Sequence, residues 1–142
     1  MDHVADLRAP CSAHELFAWV DDLARYPSWL GIVERAETTP AAEGDDGPAW
    51  LVDLAARVGP FSRAKRLRMV RTECDPPRAV TFRRRELDGR DHGEWVLRAD
   101  VADQTEGEQV ASTLTRRLHY GGRLWGPVLE PILRDEIERS RA

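Results

Sequence analysis

Apolar and polar residues alternate along most of this chain, and the period changes only towards its two ends. Residues 4–7 predict a short strand, closed by Ala9-Pro10. Ser12, with Glu15 three residues on, has the form of a capping box. Leu16, Phe17, Trp19, Val20 and Leu23 then recur at helical spacing. Asp21-Asp22 interrupts that stretch and Tyr26-Pro27-Ser28 breaks it. Two short helices are therefore predicted, over 13–20 and 23–29, with Gly31 stopping the second.

From 32 to 120 the period is two. Residues 32–37 predict a strand, and 40–48 a Gly/Asp/Pro loop with its tip at Gly44-Asp45-Asp46-Gly47. Trp50, Val52, Leu54, Ala56 and Val58 alternate with more polar neighbours, the mark of a half-buried strand. Gly59-Pro60 turns the chain. Leu67 and Met69 share a face of the next strand, which Asp75-Pro76-Pro77 ends, and Val80 and Phe82 alternate in the one after. Asp88-Gly89 predicts a hairpin, followed by alternating Trp95, Leu97, Ala99 and Val101. After a polar turn over 105–109, Leu114, Leu118 and Tyr120 mark the last strand. Beyond Gly121-Gly122 the spacing returns to helical, with Leu129, Ile132, Leu133 and Ile137 on one stripe and Pro127 suited to a first turn.

This order gives an α+β fold with seven strands: one strand, two short helices, six more strands and a C-terminal helix. An antiparallel sheet has one face to bury, and the last helix is the long amphipathic element left to cover it. The expectation is a curved antiparallel sheet (β-α-α-β6-α) wrapped around a long C-terminal helix, the gap between them forming a pocket for an apolar ligand.

The run Val20-Asp21-Asp22-Leu23-Ala24-Arg25-Tyr26-Pro27-Ser28-Trp29-Leu30, followed by Val33-Glu34-Arg35-Ala36-Glu37, resembles the helix-to-strand signature of the START/polyketide-cyclase-like (SRPBCC) superfamily. The stretch YGGRLWGPVLEPIL at 120–133 is similar to that superfamily's entry into its last helix. The resemblance covers nearly the whole chain and implies a helix-grip fold with a deep hydrophobic cavity, residues 1–142 forming a single ligand-binding domain. The superfamily includes polyketide aromatase/cyclases, lipid and sterol carriers and hormone binders, so fold alone does not choose among them.

Composition narrows the classes. At 142 residues the chain holds one domain, and an apolar share of 42% suffices for a core. A net charge of −4 argues against a dedicated nucleic-acid binder. No secretory leader or apolar run long enough to span a membrane is visible, and Cys11 and Cys74 are too few for a disulfide framework. The expectation is a cytoplasmic protein, monomeric or homodimeric. Lys65 is the single lysine among 21 Lys+Arg, an arginine bias of the kind a GC-rich coding sequence produces.

The candidate pocket residues follow from strand parity. Trp50 and Leu54, Leu67 and Met69, Phe82 and Arg84, Trp95 and Leu97, and Arg116 and Tyr120 fall on apolar faces of successive strands. Trp29 joins them where the second helix meets the sheet, and Leu129 and Leu133 from the last helix. Trp19 and Trp125 read as fasteners. A tight turn at Asp88 would set Arg84 against the Trp95 indole, with Glu86 on the same face as its ion-pair partner. These charged strand ends either enter the cavity or face solvent. A one-residue slip in the last hairpin would exchange Arg116 and Tyr120 for Arg117 and His119.

Cys11 and His14 lack a second ligand pair, so no metal is expected, and neither a phosphate loop nor a nucleophile elbow occurs. The expected function is binding of a small hydrophobic ligand, lipid-like or polycyclic, without a cofactor. The alternative is a polyketide aromatase/cyclase in which Arg84, Arg116, Tyr120 and Glu86 polarise carbonyls and move protons during aldol cyclisation and dehydration.

Overall fold

A computed structural model describes residues 2–58 and 60–121. Its strands are β1 (Asp2–Ala9), β2 (Val33–Thr39), β3 (Ala49–Val58), β4 (Phe61–Asp75), β5 (Ala79–Arg84), β6 (Trp95–Asp103) and β7 (Ser112–Tyr120). They form one curved antiparallel sheet in the order β1-β7-β6-β5-β4-β3-β2. From β2 to β7 each strand pairs with the next in sequence, while β1 lies beside β7 at the opposite edge from β2. The segment between β1 and β2 must therefore cross the sheet. It carries α1 (Ala13–Phe17), which packs on β6 and β7, and a 3-10 helix (Leu23–Ser28), which packs on β2 and β3.

Local chemistry sets this crossover. The Ser12 hydroxyl accepts the Glu15 backbone N–H at 3.2 Å and caps α1. The helix ends at Phe17 rather than at Val20, because the N–H groups of Trp19 and Val20 bond to carbonyls three residues back, which tightens the last turn. That turn buries Val20 completely and leaves Trp19 half exposed. Asp22 caps the 3-10 helix by accepting the Ala24 N–H at 2.9 Å. Tyr26, wholly buried, donates its hydroxyl to the Val20 carbonyl at 2.8 Å and closes the two short helices on each other.

Side chains alternate between the two faces of the sheet. The concave face buries Trp50, Val52, Leu67, Met69, Phe82, Trp95, Ala99 and Leu114 together with Leu16, Val20, Leu23 and Tyr26 of the crossover. The other face is charged, with Arg98 bridging Glu73 and Asp100 and Arg66 on Asp53. One arginine of that face is buried. Arg68 reaches the Asp45 carboxylate at 2.6 Å and the carbonyls of Pro40 and Arg85, so the 40–48 loop folds over the sheet. Gly47 lets it lie there, since a Cβ at that position would stand 2.5 Å from the Arg71 carbonyl oxygen.

Several expectations need correcting. The connection from β5 to β6 runs over 85–94 rather than through a tight hairpin. Arg84 stays with this loop, its Nε on Glu86 at 3.0 Å, its Nη1 on the Gly93 carbonyl at 3.3 Å and its Nη2 on the His92 imidazole at 3.3 Å. Those bonds take the guanidinium that was expected against the Trp95 indole. The arginines stacked on indoles among the described residues are Arg25 on Trp19 and Arg116 on Trp29. The fold-class expectation of a sheet wrapped around a long C-terminal helix is also corrected. Among the described residues no helix reaches seven residues. There the crossover supplies the helical cover of the concave face. The stretch on which the long helix was expected, with Pro127, Leu129, Ile132, Leu133 and Ile137, lies outside the described residues.

Two stability outcomes follow. Tyr26→Phe leaves the buried Val20 carbonyl without its donor and should cost about 1–3 kcal/mol in urea unfolding. Asp45 is held below the ordinary carboxylate range, first by its hydrogen bond from Arg68 and then by the Ala42 backbone N–H. A depressed folded-state value means this contribution is complete above about pH 3.9, the unfolded Asp value, and is lost as pH falls through the folded one. Thermal melts of Asp45→Asn should therefore start lower at neutral pH and fall less steeply below about pH 4 than those of the parent.

Candidate functional site

The concave face holds an apolar pocket of about 70 Å³. That exceeds the roughly 10–15 Å³ one water molecule needs, but a dry wall of this kind favours apolar guests over water. Leu23, Leu30, Ile32 and Val33 of the crossover and its exit close one side. Val52 and Leu54 of β3, Leu67 and Met69 of β4, Trp95 and Leu97 of β6 and Leu118 of β7 form the floor. The edge strand contributes His3, Val4 and Ala5. Arg116 joins the lining, and apart from it and His3 every lining side chain among the described residues is apolar.

The register shows how these residues meet. Pairing of Leu97 with Leu118, Ala99 with Arg116 and Trp95 with Tyr120 fixes the last hairpin, so Arg116 and Tyr120, not Arg117 and His119, share the concave face. His119 instead lies on the opposite face, within 2.6 Å of Asp2 and 3.1 Å of Glu94. β1 then sets His3 opposite Leu118 and Ala5 opposite Arg116.

Two aromatic chains hold the polar members. In the first, Tyr26 packs on Trp29 at 4.5 Å between ring centroids, and the Arg116 guanidinium lies 5.3 Å from the centre of the Trp29 ring. The Trp29 N–H donates to the Trp19 carbonyl at 3.1 Å, which fixes the indole. Stacking on an indole favours a guanidinium at an apolar wall. Burial drives the Tyr26 phenol far above its ordinary range; Arg116 works against this and Asp21 with it. In the second chain, His3 stacks on Tyr120 at 5.8 Å and Tyr120 on Trp95 at 5.3 Å, with the Tyr120 hydroxyl 3.5 Å from His3 Nε2.

At the end of the sheet where β5 stops, the concave face becomes charged. The Arg84–Glu86 pair lies there, Arg84 8% and Glu86 21% exposed. His92 holds Asp88 at 2.8 Å beside it. Lys65 lies on the same face of β4 as Leu67 and Met69, directly opposite Leu54. Its ammonium is held below the ordinary lysine value by burial and then by Arg84, with Glu86 opposing.

Of the residues expected in the pocket, Leu54, Leu67, Met69, Trp95, Leu97 and Arg116 line it. Trp50 and Phe82 are buried one layer away, edge to face at 5.4 Å. Trp29 and Tyr120 support Arg116 and Trp95 from behind, and Arg84 and Glu86 form the charged end. Leu129 and Leu133 lie outside the described residues. Sequence reasoning missed His3, Val4 and Ala5, because the edge on which β1 pairs leaves no local trace. It also missed Leu23, Leu30, Ile32 and Val33, although the apolar run Trp29-Leu30-Gly31-Ile32-Val33 was a usable signal. Among the described residues no cluster of three or more His, Cys, Asp or Glu side chains could hold a metal ion. None of their helices is long and apolar enough to cross a membrane.

Comparison with known proteins agrees with this architecture. No curated protein matches the chain. Among solved structures, a START superfamily protein from Mycobacterium smegmatis superposes with a TM-score of 0.65 at 12% identity, covering 99% of this chain and 88% of that one. Major latex-like protein 151 from Panax ginseng gives 0.58 at 12% identity, covering 99% and 91%. The di-domain ARO/CYC BexL gives 0.52 at 14% identity, covering 99% of this chain and 45% of that one. At such identities these likenesses concern the fold alone. The model of one family, described as polyketide cyclase / dehydrase and lipid transport, matches residues 4–141. With a seven-stranded curved sheet, a helical crossover and that match over nearly its whole length, the chain belongs to this family of the START-like (SRPBCC) superfamily.

Proposed function

We propose that the concave-face pocket binds a small hydrophobic molecule, lipid-like or polycyclic. The observation that carries this reading is the lining itself: among the described residues, apolar side chains from six strands and the crossover, broken only by His3 and Arg116. Burial of ligand area against such a wall supplies roughly 25 cal/mol per Å², less the cost of ordering the ligand. The family description, which includes lipid transport, supports the same reading. Arg116, set on Trp29, orients a polar group of the ligand.

One observation favours a second reading, an aromatase/cyclase. His3 lines the pocket with the Tyr120 hydroxyl 3.5 Å from it just behind the wall, on the same face as Arg116, a set able to polarise a carbonyl and move a proton. The family description covers cyclase and dehydrase members as well.

Trp95 lines the pocket, so occupancy should change tryptophan fluorescence. Titration with fatty alcohols and with aromatic polyketides should give saturable quenching, and native mass spectrometry should show a one-to-one complex. Leu54→Phe should weaken binding by about tenfold through overpacking of the wall. Absence of saturable quenching across the panel would overturn the binding reading. For the cyclase, Tyr120→Phe and His3→Ala should each abolish conversion of a poly-β-ketone while the thermal melt stays cooperative. Turnover that survives both changes removes that mechanism.

A further inference from the structure

Lys65 is the one lysine of the sequence and stands just outside the residues that line the pocket. β4 places it one step beyond Leu67 on the concave face, and the β3–β4 register sets it opposite Leu54. Both neighbours line the pocket. Its ammonium makes no hydrogen bond and no ion pair among the described residues. The nearby carboxylate, Glu86, is already engaged: one of its oxygens accepts both Arg84 Nε at 3.0 Å and the Arg68 backbone N–H at 3.1 Å. Lys65, Arg84 and Glu86 thus form a cluster with two positive charges and one negative. Lys65 is half-buried, and repulsion from Arg84 on it outweighs attraction to Glu86. A partly desolvated cation without a counter-charge is costly, and an anion placed beside it relieves that cost.

We propose that Lys65 receives the anionic group of the pocket's ligand, so that the ligand is an amphiphilic acid: an apolar body against Leu54 and Leu67 and a carboxylate at the charged end of the sheet. This rests on the hydrophobic-ligand reading and deepens it. Lysine suits the task as a compact point charge on a flexible stem, whose methylenes continue the apolar wall. Arg84 adds positive potential but stays tied to Glu86, Gly93 and His92, so Lys65 is the donor left to turn towards a guest.

The test compares dodecanoate with dodecanol, a pair alike in chain and different in charge, by tryptophan quenching. The parent protein should bind the acid about tenfold or more tightly than the alcohol. Lys65→Met should bring the two affinities together by weakening dodecanoate, and Lys65→Arg should retain the preference. Equal affinities in the parent, or a preference that survives Lys65→Met, would overturn the assignment while leaving the hydrophobic pocket standing. Failure of both compounds and of the wider ligand panel would overturn the pocket reading and this proposal together. A second measurement needs no variant. Reductive methylation with carbon-13 formaldehyde labels one side-chain amine in this sequence, and its NMR titration should move to higher pH with dodecanoate but not with dodecanol. A titration that dodecanoate leaves in place overturns the proposal.

Discussion

The site depends on the buried hydrogen bond from Tyr26 to the Val20 carbonyl. Because β1 lies at one edge of the sheet and β2 at the other, the intervening chain must cross a whole face without regular pairing partners. A long helix would carry its own backbone hydrogen bonds across. This chain instead uses two short helices, and the junction between them exposes carbonyls that must be satisfied once buried. Tyr26 meets that need at Val20 and spends its ring on Phe82 and Trp29. Trp29 in turn carries Arg116. One phenol therefore links closure of the crossover to placement of the pocket's guanidinium, and the low polarity around it pushes the phenol further above its ordinary value.

Much of the sheet was legible because a half-buried strand repeats every two residues. Trp50, Val52 and Leu54, and Trp95, Leu97 and Ala99, declare their buried face without reference to any partner, and the parity of Arg116 and Tyr120 followed from Leu118. What stayed hidden depends on contacts distant in sequence. The 85–94 connection is long because Arg84 bonds back to residues of its own loop, whereas Asp88-Gly89 by itself looks like a tight hairpin. Arg68 has solvent-facing parity on its strand, yet it is 4% exposed because the 40–48 loop folds over it. The part of β1 in the pocket wall was illegible for the same reason, since pairing with β7 joins residues more than a hundred positions apart.

Charge is distributed so that similar residues have different consequences. Arg66 on Asp53 and Arg98 on Asp100 and Glu73 are exposed pairs on the convex face, screened by solvent and worth little to stability. Arg68 with Asp45 is desolvated on both sides, and its value lies in fixing one loop on the sheet. The arginine bias of the composition thus conceals at least three roles. Arg116 is the case where an arginine differs most from a lysine, because a planar guanidinium can lie on an indole and remain charged in an apolar wall.

The pocket is consequently polarised across the sheet, since Val33, Leu54 and Lys65 stand in one row of the register. The crossover side is Leu23, Leu30, Ile32 and Val33, with no group able to hydrogen-bond a guest through its side chain. The end where β5 stops gathers Arg84, Glu86, His92 and Lys65. A wholly apolar guest would gain nothing from that end and would leave Lys65 desolvated against Arg84. A guest with one charged terminus meets each part of the wall with matching chemistry and has a preferred orientation within it. In a family whose description joins polyketide cyclase / dehydrase and lipid transport, such a gradient would suit either role: it would hold a lipid-like molecule by one end, or present the carbonyls of a reactive chain to the polar groups in a fixed order.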